Sequence, residues 1–452
     1  MRFSAPDLLT RFLRLLLRIF FRRVEVMGAE RLPLGHPMVL VANHVNGLVD
    51  PVLLLGPLPV RPRLLAKSTL WKNPLVRPFA DWAGAIPVYR RQDEVDTAQN
   101  EETFRRCHEV LAERGVLSLF PEGKSHSEPA LQPLKTGLAR IVLGAERQFP
   151  GLETRIVPVG LTFDAKETFR SRALVQVGEP IDPAPEILLD RDDNTAAVRS
   201  LTARVSQGLE QVTLNYGNWE DARLIARAAE IYGRAHLELP TRRRLAETFP
   251  IQQAFIEGYE ELRRRFPERV EALAGAVRTY DRLLEALRLR DDQVAAAYPF
   301  SPVLRFLGRT LLRLLIHLPL AAVGTVLCWP TYRLVGPAAT LAARRVPDQV
   351  ATYKLFAALL FFPLTWIAEA VLTARWLGWW AAPALLLLAP LAGWAALRFH
   401  ETHNSFWQEA WAYLLLRTRK KVAERLRLDR ETVLREVGEL EDLWRGGEGA
   451  AI

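Results

Sequence analysis

MVLVANHVNGLVD, residues 38–50, decides how the rest of the chain is read. An apolar strand, MVLVA, runs directly into a polar turn that holds His44 and, shortly after it, Asp50. A histidine at a strand's exit can be oriented by a nearby carboxylate and act as a general base toward an alcohol, which makes His44 and Asp50 a candidate dyad. The plainer explanation is local: Asp50 followed by Pro51 is also a good helix start, and a single histidine is often structural.

Outward from this stretch, residues from about 24 to 182 alternate short β-rich runs with helical ones. The runs are MVLVANH, PRLLAKS, GAIPVYRR, GVLSLFPEG, RIVPVGLTF and ALVQVGEPI, with an amphipathic helix at about 96–114. Such alternation predicts an α/β domain whose sheet is covered by helices. A second polar loop, FPEGKSHSEPALQPLKTG at 120–137, again follows a strand. Gly123 permits close backbone approach there, and Lys124 and Lys135 supply charge, so the loop suits an oxyanion or phosphate. It is not a Walker A loop, because Ser118 stands where that pattern needs glycine. A charged surface turn accounts for it equally well. Arg90, Arg91, Arg170 and Arg172 fall at strand ends or loops, where a guanidinium can grip a phosphate bidentately.

These segments occur in order, NHVNGLVD, AKSTLWKNPL, GAIPVYRRQD, FPEGKSHSEPALQPLKTG and VPVGLTF, and together they resemble the glycerophospholipid acyltransferase superfamily. IPVYRRQD, PLKTGLARIVLGA and FRSRALVQVGEPI are similar to its fungal-type glycerol-3-phosphate/dihydroxyacetone-phosphate acyltransferase branch. The resemblance covers about residues 38–182. It implies an α/β fold with a mixed sheet covered by helices, then an all-α segment and C-terminal membrane helices. His44 would be the general base and Asp50 its orienting carboxylate. Arg90, Glu122, Gly123 and the FRSR arginines would serve the acceptor phosphate, with Asn46, Lys67, Arg91, Lys124 and Lys135 also on the substrate side. The superfamily's usual spacing leaves four residues between histidine and aspartate, whereas five intervene here, Val45–Val49. No cofactor or metal is implied, only acyl-CoA or acyl carrier protein as co-substrate. A lysophospholipid acceptor, 1-acyl-glycerol-3-phosphate, is the nearest rival, and a non-catalytic membrane-organising protein is the rival of another class.

Elsewhere composition narrows the choice. A net charge of +9 fits nucleic acid or an anionic membrane. Arginines beside long apolar runs favour the membrane, and no base-reading motif is present. Cys107 and Cys328 have no neighbours that would make a zinc site or a disulfide framework. There is no GxSxG elbow for a serine esterase. Residues 7–23 place Arg11, Arg14, Arg18 and Arg22 against a wide Leu/Phe face, which predicts an interfacial helix on the mature protein, with an ordinary docking helix as the alternative. The chain therefore divides into this helix at 1–23, the α/β domain at 24–190, a helical segment at 191–300, membrane helices at 301–400 and a basic tail at 401–452. The runs 355–374 and 376–397 are long enough to span a bilayer as a hairpin about Arg375. The run 314–332 should dip and return or lie in the interface, leaving the tail and the catalytic domain on the cytoplasmic side.

Overall fold

The computed structural model describes residues 8–73, 76–90, 100–236, 244–295, 300–343 and 349–448. They form two compact units. One holds the chain up to Asn218, together with Arg244–Phe249 and the stretch ending at Thr352; the remainder makes the other.

The first unit opens with helix α1 (Leu8–Phe20) and strand β1 (Arg23–Met27), followed by β2 (Met38–Ala42), α2 (Val49–Leu55), β3 (Arg63–Lys67), α3 (Arg77–Trp82) and β4 (Ile86–Val88). It continues through α4 (Asn100–Ala112), β5 (Val116–Leu119), α5 (Gly137–Gln148), β6 (Arg155–Phe163), β7 (Arg172–Val177), α6 (Ala184–Leu189) and α7 (Asn194–Glu210). The strands make one seven-stranded mixed sheet in the order β1-β7-β6-β2-β5-β3-β4. All its pairings are parallel except β6 with β7. All five residues of β2 are buried, as a central parallel strand covered on both faces requires. The core on one face joins Val39 and Val41 to α4, α5 and α7 through Leu111, Val142, Leu201 and Leu209. Thus α7, expected within the separate helical segment, belongs to the α/β unit. Edge strand β1 was hidden in the basic run that follows α1, and its pairing with β7 defines it.

The first helix docks by one face. Leu9, Leu13, Leu16, Leu17 and Phe20 are buried, each worth roughly 1.5–3 kcal/mol of transfer free energy, and Arg14 Nε donates to the Gly56 carbonyl at 2.7 Å. The docking alternative therefore describes the inner face. The outer face leaves Leu8, Leu15 and Ile19 exposed alongside Arg11 and Arg18.

In the second unit lie α8 (Trp219–His236), most of α9 (Leu245–Arg265), α10 (Pro267–Leu287) and α11 (Asp291–Ala295). They are followed by α12 (Phe300–Ala342), α13 (Val350–Leu377, beyond its first turn), α14 (Ala381–Thr418) and α15 (Lys420–Glu448). Helices α9 and α10 are separated at Phe266, and Pro267 stands at a helix start, where its missing N–H costs nothing. One apolar core joins Ile231 of α8, Val277 and Leu284 of α10 and Val294 of α11 to Leu415 of α14 and Leu426, Val433 and Val437 of α15. Both ends of the apolar stretch are thereby tied into a single cluster.

Among the described residues three helices, α12, α13 and α14, are long and apolar enough to cross a membrane. The 314–332 run lies inside one continuous helix, so it does not dip and return; Pro319, Pro330 and Pro337 are accommodated without a break. The expected partner of α14 also changes. A tight turn at Gly378 (φ +91) joins α13 to α14, but α14 packs along α12. A Cβ on Gly324 would lie 1.9 Å from the Ala392 carbonyl oxygen, so only glycine lets the two backbones approach. Hydropathy measures length and polarity; it carries no information on which small residues face each other.

Candidate active site

Strands β2, β5, β3 and β4 are mutually parallel, so the segments that leave their carboxyl ends emerge on one edge of the sheet. That edge is where open α/β sheets place their chemistry. His44 follows β2, Glu122 and Gly123 follow β5, Lys67 ends β3, and Arg90 follows β4. The topology therefore gathers residues scattered over some 80 positions of sequence.

His44 is held from every side. Asn43 anchors the end of β2 by exchanging two hydrogen bonds with the Leu161 backbone, at 2.7 and 3.1 Å. The His44 ring stacks on Phe120 with centroids 4.1 Å apart, and its Nδ1 lies 2.9 Å from Asp50 Oδ2. The same carboxylate oxygen accepts the backbone N–H groups of Val45 and Asn46, at 2.8 and 2.7 Å. An oxygen serving three donors acts purely as an acceptor, so Nδ1 carries the imidazole proton and Nε2 presents its lone pair. Asp50 is fully buried, while the His44 side chain keeps 18% of its surface exposed. A general base needs that combination of fixed orientation and an accessible nitrogen.

The five-residue spacing has a structural counterpart. Gly47, within the insert, takes a left-handed conformation (φ +49), and the next N–H, of Leu48, donates to Thr352 Oγ1 at 2.9 Å. Thr352 is buried and belongs to the same compact unit. Sequence reasoning missed it because some 300 residues separate the partners.

The glycine loop is built around Glu122, whose side chain is fully buried. One oxygen accepts the His44 N–H at 2.7 Å; the other accepts the Gln132 N–H at 3.1 Å and contacts His126 Nε2. Gly123 turns through φ +77, a region that penalises side chains. Arg90 reaches across to bond its carbonyl, and Lys135 packs over it. Lys166 spans the two loops, with Nζ 2.9 Å from the Val45 carbonyl and 2.8 Å from Ser127 Oγ. Asn46, nearly inaccessible, donates to the Lys166 carbonyl at 3.0 Å. Neither His126 nor Lys166 was singled out from the sequence. His126 falls in the loop that a charged surface turn explains as well as an anion site does, and nothing local linked Lys166 to the histidine loop.

The structure therefore brings together His44, Asp50, Asn46, Arg90, Glu122, Gly123 and Lys135. Lys124 is exposed on the same loop, and Lys67 is half-buried at the end of β3. Arg91 lies outside the described residues. Arg170 and Arg172 have other engagements. Arg170 NH1 bonds the carbonyls of Arg18 and Phe21 at 2.7 and 2.8 Å, capping the end of α1, and Arg172 Nε pairs with Asp164 at 2.7 Å. These contacts hold α1 and β7. Among the described residues no group of three or more His, Cys, Asp or Glu could hold a metal.

The acyltransferase family profile matches residues 23–162, which contain this whole edge. The glycerol-3-phosphate acyltransferase 2 C-terminal domain matches residues 224–443. Glycerol-3-phosphate O-acyltransferase 2 of Saccharomyces cerevisiae is 28% identical over 60% of this chain and 38% of its own length. Glycerol-3-phosphate O-acyltransferase 1 of the same yeast is 25% identical over 79% of this chain and 60% of its own. An uncharacterized acyltransferase of Schizosaccharomyces pombe is 24% identical over 86% and 73%. The chain thus spans less than two thirds of the length of each of the two Saccharomyces relatives. A solved 1-acyl-sn-glycerophosphate acyltransferase, PlsC of Thermotoga maritima, is 21% identical over 45% of this chain and 78% of its own, with a TM-score of 0.34. With both domains matched in order and the dyad set at the expected strand exit, the chain belongs to the PlsC-like glycerophospholipid acyltransferase superfamily, on its fungal glycerol-3-phosphate acyltransferase branch.

Proposed function

We propose that this chain is a membrane-bound O-acyltransferase that moves a fatty acyl group from acyl-CoA or acyl carrier protein to glycerol-3-phosphate or dihydroxyacetone phosphate. The observation that carries the reading is the oriented dyad, His44 Nδ1 on buried Asp50 with Nε2 left as the accessible base. In the proposed step Nε2 takes the acceptor hydroxyl's proton as its oxygen attacks the thioester carbonyl. The tetrahedral adduct collapses with loss of the thiolate, and the imidazolium returns its proton to that sulfur. On this reading Arg90, Lys67, Lys124 and Lys135 form the basic side of the edge, suited to the acceptor's phosphate. Glu122 and Asn46 serve by fixing the loops.

The membrane plan rests on α12–α14 and on the shared core. Because α8, α10 and α11 pack with α15, the chain enters and leaves the apolar stretch on one side, which supports an even number of crossings. Trp376, Trp379 and Trp380 stand exposed around the α13–α14 turn, as residues at a bilayer boundary do. The cytoplasmic side, where acyl carriers are found, is the proposed side of the catalytic unit.

The test is an acceptor panel with purified protein and labelled acyl-CoA or acyl carrier protein. Transfer to glycerol-3-phosphate or dihydroxyacetone phosphate is expected. Transfer confined to 1-acyl-glycerol-3-phosphate would replace the acceptor, and transfer to none would remove the enzymatic reading.

A further inference from the structure

We propose that His126 is a positioning residue for acyl transfer, acting on His44 through Glu122; the inference rests on the function proposed above. His126 is buried, with its side chain 6% exposed. Its Nδ1 lies 3.1 Å from the backbone N–H of Glu128. A peptide N–H can only donate, so Nδ1 must present its lone pair and the ring proton sits on Nε2, which faces Glu122 Oε2. The two histidines of the site therefore carry opposite tautomers. His44 is protonated on Nδ1 and keeps Nε2 for chemistry, whereas both nitrogens of His126 are occupied, leaving it nothing with which to accept a substrate proton.

What His126 can do is hold its neighbour in place. The Glu122 carboxylate receives the His126 Nε2–H on one oxygen and the His44 N–H on the other. The His126 backbone N–H in turn donates to the His44 carbonyl at 3.0 Å. The peptide groups flanking the catalytic histidine are thus tied at both N–H and C=O into a closed ring of three residues. Lys166 reinforces that ring from outside by bonding the Val45 carbonyl and Ser127 Oγ. Glu122 accordingly faces the backbone of the dyad, and its contribution is to the placement of Nε2. A base displaced by about 1 Å can lose up to about 100-fold in rate.

Two amides separate this role from that of a turn residue. Glutamine at 126 can put an N–H donor where imidazole Nε2 stands, toward Glu122. Asparagine supplies only the shorter acceptor at the Nδ1 position, toward the Glu128 N–H. His126→Ala and His126→Asn should each lower kcat about 10-fold or more, with KM for donor and acceptor changed less than about two-fold, and His126→Gln should recover most of the loss. Wild-type kcat in the alanine variant, rescue by asparagine and not glutamine, or a loss carried by KM would each overturn the proposal. A readout that needs no turnover is the ¹⁵N shift pattern of the histidines in wild-type protein, with signals assigned through His44→Ala. His126 is expected as the Nε2–H tautomer and His44 as the Nδ1–H tautomer. Finding His126 protonated on Nδ1 overturns the relay even if the protein proves to have another substrate, and its failure is thereby separable from failure of the acyl-transfer reading.

Discussion

Two buried carboxylates, one in each compact unit, are partnered in opposite ways. Among the described residues Asp50 accepts only from two backbone N–H groups and an imidazole. Asp291, in the second unit, is flanked by two guanidiniums, Arg234 at 2.9 Å and Arg430 at 2.9 Å, and also accepts the Tyr280 hydroxyl. Both are almost wholly inaccessible. At Asp291 the arginines cancel the charge where it stands, and burial with the adjacent Asp291 pushes the Tyr280 hydroxyl far above its ordinary pKa. Its role is to pin α8, α11 and α15 together. Among the described residues no cation pairs with Asp50, so its field acts along the His44 ring, where the proposed transfer would form an imidazolium. Burial alone does not tell the two carboxylates apart; what partners them does.

That contrast can be broken by the same substitution at both positions. Asp50→Asn can keep an acceptor oxygen for all three N–H groups and loses only the charge, so kcat should fall by about 100-fold or more with little change in thermal stability. Near-normal turnover would mean that the imidazolium is stabilised elsewhere. Asp291→Asn should do the reverse: unfolding of the second unit eases by about 3 kcal/mol, because two buried guanidiniums lose their counter-charge. Transfer by the protein that remains folded should be unchanged, as measured by denaturant titration alongside single-time-point assays. A selective loss of activity at full stability would place Asp291 in the chemistry.

A smaller effect sharpens the comparison within the first unit. Arg170→Ala removes the cap on α1 and should cost about 1 kcal/mol, with KM for the acceptor unchanged within about two-fold. An acceptor KM raised selectively would return Arg170 to the phosphate. Smallest of all, Cys107 is wholly buried in α4, and burial pushes its thiol up to about 12. At neutral pH it should resist maleimide in the native protein and react on unfolding; rapid native labelling would mean that the sheet's covering layer opens.

For the membrane plan, Glu271→Cys on α10 and Arg445→Cys on α15 should label from the same side of sealed vesicles, since their helices share one core. Labelling from opposite sides would require an odd number of crossings.

The sheet edge was legible because parallel strands convert sequence order into spatial order. Once MVLVA, GVLSL and IPV are strands of one parallel set, the residues just after each must meet, and so His44, Glu122 and Arg90 did. What escaped depends on distance along the chain. Thr352 supports the five-residue span between His44 and Asp50 from the first turn of α13, and Lys166 ties two loops from beyond β6. Arg170 and Arg172 fell at a strand's start as expected, yet whether an arginine meets a phosphate or a helix's last carbonyls is set by what packs nearby, here α1. The apolar helices were visible as lengths, but the α12–α14 pairing depends on Gly324 and Ala392 facing each other, which periodicity does not encode.

The central claim, that His44 is the base of an acyl transfer, is tested most directly by His44→Ala in purified protein supplied with labelled acyl-CoA and glycerol-3-phosphate. The account predicts a loss of at least about 100-fold in kcat, with an unfolding midpoint close to that of the wild type. Turnover at the wild-type rate in a folded His44→Ala protein would contradict it.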